Sequence, residues 1–215
     1  MLKLGAQLVL IDGAINRVAS ASPSVSEGVV LASGAVISRD INKVVEDTIH
    51  TINLFQLPEV KDKKARDIIE ELIENREAAI IDDQYNVNYL NIKTALNSGT
   101  VISQNIKDNS KYVVLPGSLV KKTVDDIIST TDKYRDVKFV VNDGTKIFID
   151  AKEWILYKKK GVNVEVLESV NVVLVTLNPY SPEGYYFDQS EFLIKMKEYV
   201  KDILVVDVMY GGGLI

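Results

Sequence analysis

The chain has no cysteine. Disulfides, thiolate metal sites and cysteine catalysis are therefore excluded, and the lack of disulfides fits a reducing cytoplasm. It has a single histidine, His50, on a stretch that reads as helix. A lone helical histidine reads as packing, since catalysis or metal binding needs partners. Positive charge is not in excess either. A net charge of −5 argues against a general nucleic-acid binder, which would carry a basic stripe. No apolar run approaches the roughly 18–20 residues of a membrane-spanning helix, and the first residues do not read as a signal peptide. No segment reads Gly-x-x-x-x-Gly-Lys-Ser/Thr, the loop that cradles nucleotide phosphates. The glycines at 28–34 and 211–213 lack its lysine. There is no repeat of solenoid period and no low-complexity segment.

What remains is an ordinary globular composition, 47% apolar and 26% charged over 215 residues, enough for one large or two small domains. Apolar runs at 8–11 and 29–32 have the length of strands buried on both faces. Each is followed by a small polar residue and glycine, Asp12-Gly13 and Ser33-Gly34. Between them lies a loop with Arg17, Ser20, Ser22, Ser24 and Ser26, all able to donate hydrogen bonds to an anion. In an open parallel sheet, ligands sit outside the carboxyl ends of the strands. Asp12, Gly13, Arg17, Ser20, Ser22 and Ser33 are therefore the candidate binding residues, with Asp12 the candidate metal ligand. Four apolar residues ending in aspartate is the form of a strand whose carboxylate orients magnesium beside a nucleotide.

Further along, Ile41, Val44, Val45, Thr48, Ile49, Ile52 and Phe55 recur at helical spacing, with Ser38 as the expected N-cap. A second helix is expected over 61–76, its charges forming a solvated face. A short strand at 78–81 ends in Asp82-Asp83. Adjacent carboxylates there read as a turn rather than a magnesium site, because neighbours on a strand point to opposite sides. A half-buried strand or extended loop at 85–89 and a helix over 92–96 follow. The polar stretch 104–111 reads as a linker. It sets an expected division into residues 1–109, a part similar to P-loop proteins but without the phosphate loop, and residues 110–215, a second α/β unit.

The second unit alternates strands (112–115, 138–141, 162–167, 172–177, 203–208) with helices (119–130, 151–160, 191–200). That order predicts a parallel sheet with helices on both faces. The fold expected overall is α/β, with two open, mostly parallel sheets flanked by helices. Asn142-Asp143-Gly144 is also a hairpin signal, but its neighbours favour a path from strand to helix. Lys158, Lys159 and Lys160 complement the negative end of a helix that Gly161 stops. The strand ends collect Asp12, Ser33, Ser118, Asp143, Asn178 and Asp207, which buried strands need as terminators whether or not they bind anything.

Leu8-Val-Leu-Ile-Asp-Gly-Ala, Arg17-Val-Ala-Ser-Ala-Ser-Pro and Gly28-Val-Val-Leu-Ala-Ser-Gly-Ala-Val-Ile-Ser-Arg-Asp40 resemble the middle of a bacterial family, the smaller subunit of the lysine 5,6-aminomutase reactivase. Tyr112-Val-Val-Leu-Pro-Gly-Ser-Leu, Thr145-Lys-Ile-Phe and Leu177-Asn-Pro-Tyr-Ser-Pro extend the resemblance over nearly the whole chain. The resemblance implies an accessory subunit that works with a reactivase ATPase subunit on an adenosylcobalamin- and pyridoxal-phosphate-dependent aminomutase, exchanging damaged cobalamin for fresh cofactor at the expense of ATP. Longer members of the family carry a phosphate loop upstream, so Mg-ATP binding is expected only with segments outside this chain, and Met1 reads as the start of a mid-domain segment. The isolated chain is not expected to be an active enzyme. Two other readings stand beside this one: a stand-alone enzyme of small metabolites, and a ligand-binding regulatory module. A homo-oligomer is compatible with all three.

Overall fold

The computed structural model describes residues 5–12, 18–92 and 98–209. They form an α/β protein with two main sheets, mostly parallel and flanked by helices. The expected fold class is thus observed, although nothing in it singles out a P-loop relationship.

The first sheet has three strands, β1 (Val29–Gly34), β9 (Val172–Asn178) and β10 (Leu204–Asp207), all parallel in the order β1-β9-β10. One face packs on helices α1 (Ile41–Phe55) and α6 (Gln189–Tyr199), through Val44, Val45, Ile52, Val175, Leu177 and Phe192. No described helix covers the other face. Val30 and Leu204 are 54% and 50% exposed. Leu174 and Thr176 are only half-buried although they lie on the central strand.

The second sheet has five strands in the order β3-β2-β4-β6-β8: β2 (Ala79–Asp82), β3 (Val87–Tyr89), β4 (Ser110–Val114), β6 (Lys138–Val141) and β8 (Asn163–Val166). β4, β6 and β8 run parallel, and β2 runs antiparallel to both its neighbours. Side-chain alternation divides its residues cleanly. Ala79, Ile81, Tyr112, Val114 and Val140 pack on α2 (Lys63–Glu74). Ile80, Val113, Phe139, Val141 and Val164 pack on the other side with residues of α3 (Ser98–Asn105), α4 (Lys121–Thr130) and α5 (Ala151–Lys160). A two-stranded parallel ribbon, β5 (Leu119–Val120) with β7 (Ile147–Phe148), joins the segments that follow β4 and β6.

Local chemistry sets the helix ends. Asp40, Asp62, Asp150 and Asp188 each cap a helix by accepting an N–H of its first turn. Ser38 sits two positions before the cap and accepts from the Asp40 N–H instead. Gly161 ends α5 at φ +94°, in the left-handed conformation that glycine adopts without penalty, just after the three lysines.

Several expectations change. Residues 8–11 form no strand, and Leu8 and Leu10 are 74% and 85% exposed. A run apolar on both faces signals the need for burial, but a strand exists only where another strand pairs with it. The stretch 104–111 is no linker: it ends α3, turns at 106–109 and starts β4. Hydrogen-bonded strands also cross the position expected to divide the chain, with β2 pairing with β4 and β1 with β9. Residues 119–120 begin as strand, and the helix follows at Lys121. The expected helix over 92–96 falls mostly outside the described residues. Asp82 closes a turn, accepting from the N–H groups of Gln84 and Asn86.

Two predictions follow from this packing. An added Cβ at Gly144 would lie 2.2 Å from the Leu54 carbonyl oxygen, whereas one at Gly117 would meet nothing within 4 Å. Gly144→Ala is expected to cost about 2–3 kcal/mol and Gly117→Ala less than about 0.5 kcal/mol, read from urea unfolding midpoints. The second concerns Asp62, which accepts from Lys111 Nζ at 3.0 Å, the Ala65 N–H at 3.2 Å and the Tyr85 hydroxyl at 3.0 Å. The lysine first, then the amide, hold its carboxyl below the usual range. A carboxyl depressed in the folded state stabilises the fold above its unfolded value, near pH 4, and that stability is lost as pH falls through the folded value. Unfolding midpoints should therefore drop as pH falls below about 4, and Lys111→Met should flatten that drop.

Candidate functional site

The carboxyl ends of β4, β6 and β8 bring together the loops on which an α/β sheet usually carries its ligand. At the end of β6 stands Asp143, fully buried. A buried carboxylate is costly unless hydrogen bonds satisfy it. Here the Ser22 hydroxyl and the Asn142 amide each donate at 2.8 Å, the Thr145 N–H donates at 2.8 Å and the Thr145 hydroxyl also donates. Ser22 and Asp143 are 121 positions apart. The hydroxylic loop therefore reaches the second sheet, and its serine is spent on a structural bond. Four donors leave this carboxylate little capacity to act as a base.

Beside it, at the end of β4, lies a cleft of about 430 Å³. Its floor includes Leu90 and Leu115, and its rim carries Arg76, Glu77, Asn91 and Ser118. The geometry of Arg76 comes from the end of α2. Asn75 caps that helix, the Glu77 N–H bonds back to the Leu72 carbonyl at 2.8 Å, and Arg76 takes φ +58°. This is the position where helices usually place glycine. At the far wall, Ser98 and Thr123 hydroxyls share a hydrogen bond of 2.9 Å. α4 begins next to this wall at Lys121, and the residue before it, Val120, supplies no side-chain cap. The cleft can hold a small polar ligand by hydrogen bonds.

The carboxyl end of the first sheet is organised differently. Ser33 shares a 2.6 Å hydrogen bond with Thr48 of α1, which in turn donates to the Val44 carbonyl. Asp207 is buried and accepts from the Met209 N–H at 2.8 Å. Asn178 accepts from the Tyr180 N–H at 3.0 Å.

These positions settle what became of the expected site. Ser22 and Ser33 belong to separate hydrogen-bond groups. Ser20 lies in the 3-10 turn Val18–Ala21, where its carbonyl accepts from Ser26 at 3.2 Å. Asp12 is exposed and follows no strand, because the strand expected before it does not form. Gly13 and Arg17 lie outside the described residues. The described residues hold no group of three carboxylate or histidine side chains able to bind a metal. The sequence also holds no phosphate loop, and no chemical step is routed through Mg-ATP. Reading the sequence missed Arg76 and Asn91. Arg76 sits at the end of a solvated helix face, and only the tertiary turn brings it to the β4 end. The one available signal was Asn75-Arg76, an asparagine followed by a charge just after the last apolar residue of the helix.

The Asp143 group carries a prediction. Ser22→Ala removes one donor to a buried carboxylate and is expected to cost about 1.5–3 kcal/mol, while Ser24→Ala, whose hydroxyl among the described residues bonds Ser22, should cost less than about 1 kcal/mol. Differential scanning calorimetry of the two variants reads the contrast.

Comparison with family models, with curated proteins and with solved structures finds no match to this chain.

Proposed function

We propose that the chain is an accessory, reactivase-type subunit that acts with an ATPase partner on an adenosylcobalamin-dependent amino-acid aminomutase. The identity of the partners rests on the residue resemblance of the segments beginning at Leu8, Arg17, Gly28, Tyr112, Thr145 and Leu177. One structural observation supports the accessory role: the open face of the β1-β9-β10 sheet. All-parallel sheets occur almost only with both faces covered. Here Val30, Leu174, Leu204 and Val206 form an apolar face that α1 and α6 do not reach. A partner subunit seated there supplies the second layer. The lack of a phosphate-loop sequence in the chain supports placing nucleotide hydrolysis on the partner, and the fully satisfied Asp143 favours a structural role over turnover by the chain itself.

The test is coexpression of the tagged chain with the aminomutase and the ATPase subunit. A complex that survives size exclusion is expected, along with ATP-dependent recovery of an inactivated aminomutase only when the chain is present. Val30→Lys and Leu204→Lys sit at exposed positions, so their unfolding midpoints should move by less than about 1 kcal/mol. Each should weaken association at least tenfold. Wild-type protein that binds neither subunit would remove the proposal, and lysine variants that associate normally would remove the open face as the docking surface.

A further inference from the structure

The covered side of the first sheet carries a second feature, independent of the docking face. α1, α5 and α6 enclose a groove of about 390 Å³. Its walls are apolar, formed by Val45, Ile49, Ala151 and Ile155 with Trp154 and Tyr199. Trp154 is nearly buried and stands edge-on to His50, with ring centroids 6.4 Å apart.

Among the charged groups of the groove, two are carboxylates and one is a lysine, while Asn42 and Asn53 add amides that both donate and accept. His50 Nε2 lies 2.8 Å from the Ile149 carbonyl. A carbonyl only accepts, so Nε2 carries the proton, and in the neutral ring Nδ1 is left as an acceptor. Glu46 and Glu198 both line the groove. Neither forms an ion pair or a side-chain hydrogen bond among the described residues. Lys43, one turn before Glu46, is bonded to Asp47 at 2.6 Å and feels Glu46 only through space. The one cation on the lining, Lys195, is already engaged: its Nζ meets Asn42 Oδ1 at 2.7 Å and Glu191 at 3.3 Å. The groove thus combines an apolar and aromatic wall with two carboxylates that lack a matching cation.

We propose that this groove binds a small organic amine in its ammonium form, the alkyl or aromatic body lying against Val45, Ile49 and Trp154 and the ammonium between Glu46 and Glu198. The occupant follows from charge and shape. An organic acid would face two carboxylates, and a neutral apolar molecule would leave both unpaired. An ammonium supplies donors to the acceptors, and aromatic rings add cation–π attraction. The volume lies near the lower end of the range for small-molecule sites, which suits a ligand of a few carbons rather than a nucleotide.

The chain has one tryptophan, and it is the groove's own, so its fluorescence reports occupancy directly. Titration of the full chain with n-hexylammonium chloride, at constant ionic strength and pH 7, should give a saturable change in Trp154 emission. n-Hexanol should bind at least tenfold more weakly and hexanoate should give no saturable change. The double variant Glu46→Gln, Glu198→Gln should lose at least tenfold in affinity for the ammonium while keeping its circular dichroism and its response to hexanol. No saturable response to the ammonium overturns the proposal. So does an equal response to hexanol, which would mark a merely apolar groove, and so does full affinity in the double variant. Ile155→Glu, at a half-exposed position on the wall, provides a second check, since an added carboxylate should tighten ammonium binding and further exclude hexanoate.

Discussion

The corner at Asp143-Gly144 is the constraint on which the arrangement of the two sheets depends. Asp143 ends β6 in the second sheet, yet its carboxylate is held by Ser22, which belongs to the loop leading into β1 of the first. Gly144 lies so close to the Leu54 carbonyl that no side chain fits between them. Leu54 is near the end of α1, the main helical cover of the first sheet. Two adjacent residues therefore tie a loop, a helix end and a strand end to one another. The tie is stable because the buried charge has enough donors; removing a partner leaves a desolvation cost that no other group offsets.

With that corner fixed, each sheet meets a different demand. The second sheet has helices on both faces, and its strands alternate between two apolar layers. The first sheet has helices on one face only, and its central strand keeps Leu174 and Thr176 half-exposed on the other. Parallel sheets occur almost only with both faces covered, and the first sheet departs from that where the second does not. The same sheet thus offers two surfaces with different chemistry. Its open face is broad and apolar, suited to another protein layer. Behind its helices, the groove around Trp154 has apolar walls, with Glu46 and Glu198 on its lining.

Among the described residues, the parts of the expected site answer to separate local needs. Ser22 neutralises the cost of burying Asp143, and Ser33 pairs with Thr48 where a polar strand end meets a helix. Asp12 has no strand to terminate. Hydroxyl groups collected in one stretch of sequence resemble an anion-binding loop, but Ser22 bonds the buried Asp143 and Ser26 the Ser20 carbonyl. Lys195, unremarkable within its helix, gains its significance from Asn42 and Glu191, which engage it and leave Glu46 and Glu198 unmatched.

By itself the sequence determined the α/β class, most strands and helices, and the helix ends at Asp150 and Gly161, because periodicity, capping and left-handed glycine are local effects acting within a turn or two. It also indicated that 8–11 is apolar on both faces, but pairing depends on a neighbour, and periodicity does not name one. Only the tertiary structure decided that β1 joins β9 rather than a strand near it in sequence, that β2 runs against β4, and that Ser22 meets Asp143 across 121 positions. Those contacts close long loops, whose cost grows only slowly with length, so sequence distance does little to forbid them. The choice among them is made by which surfaces can be buried together.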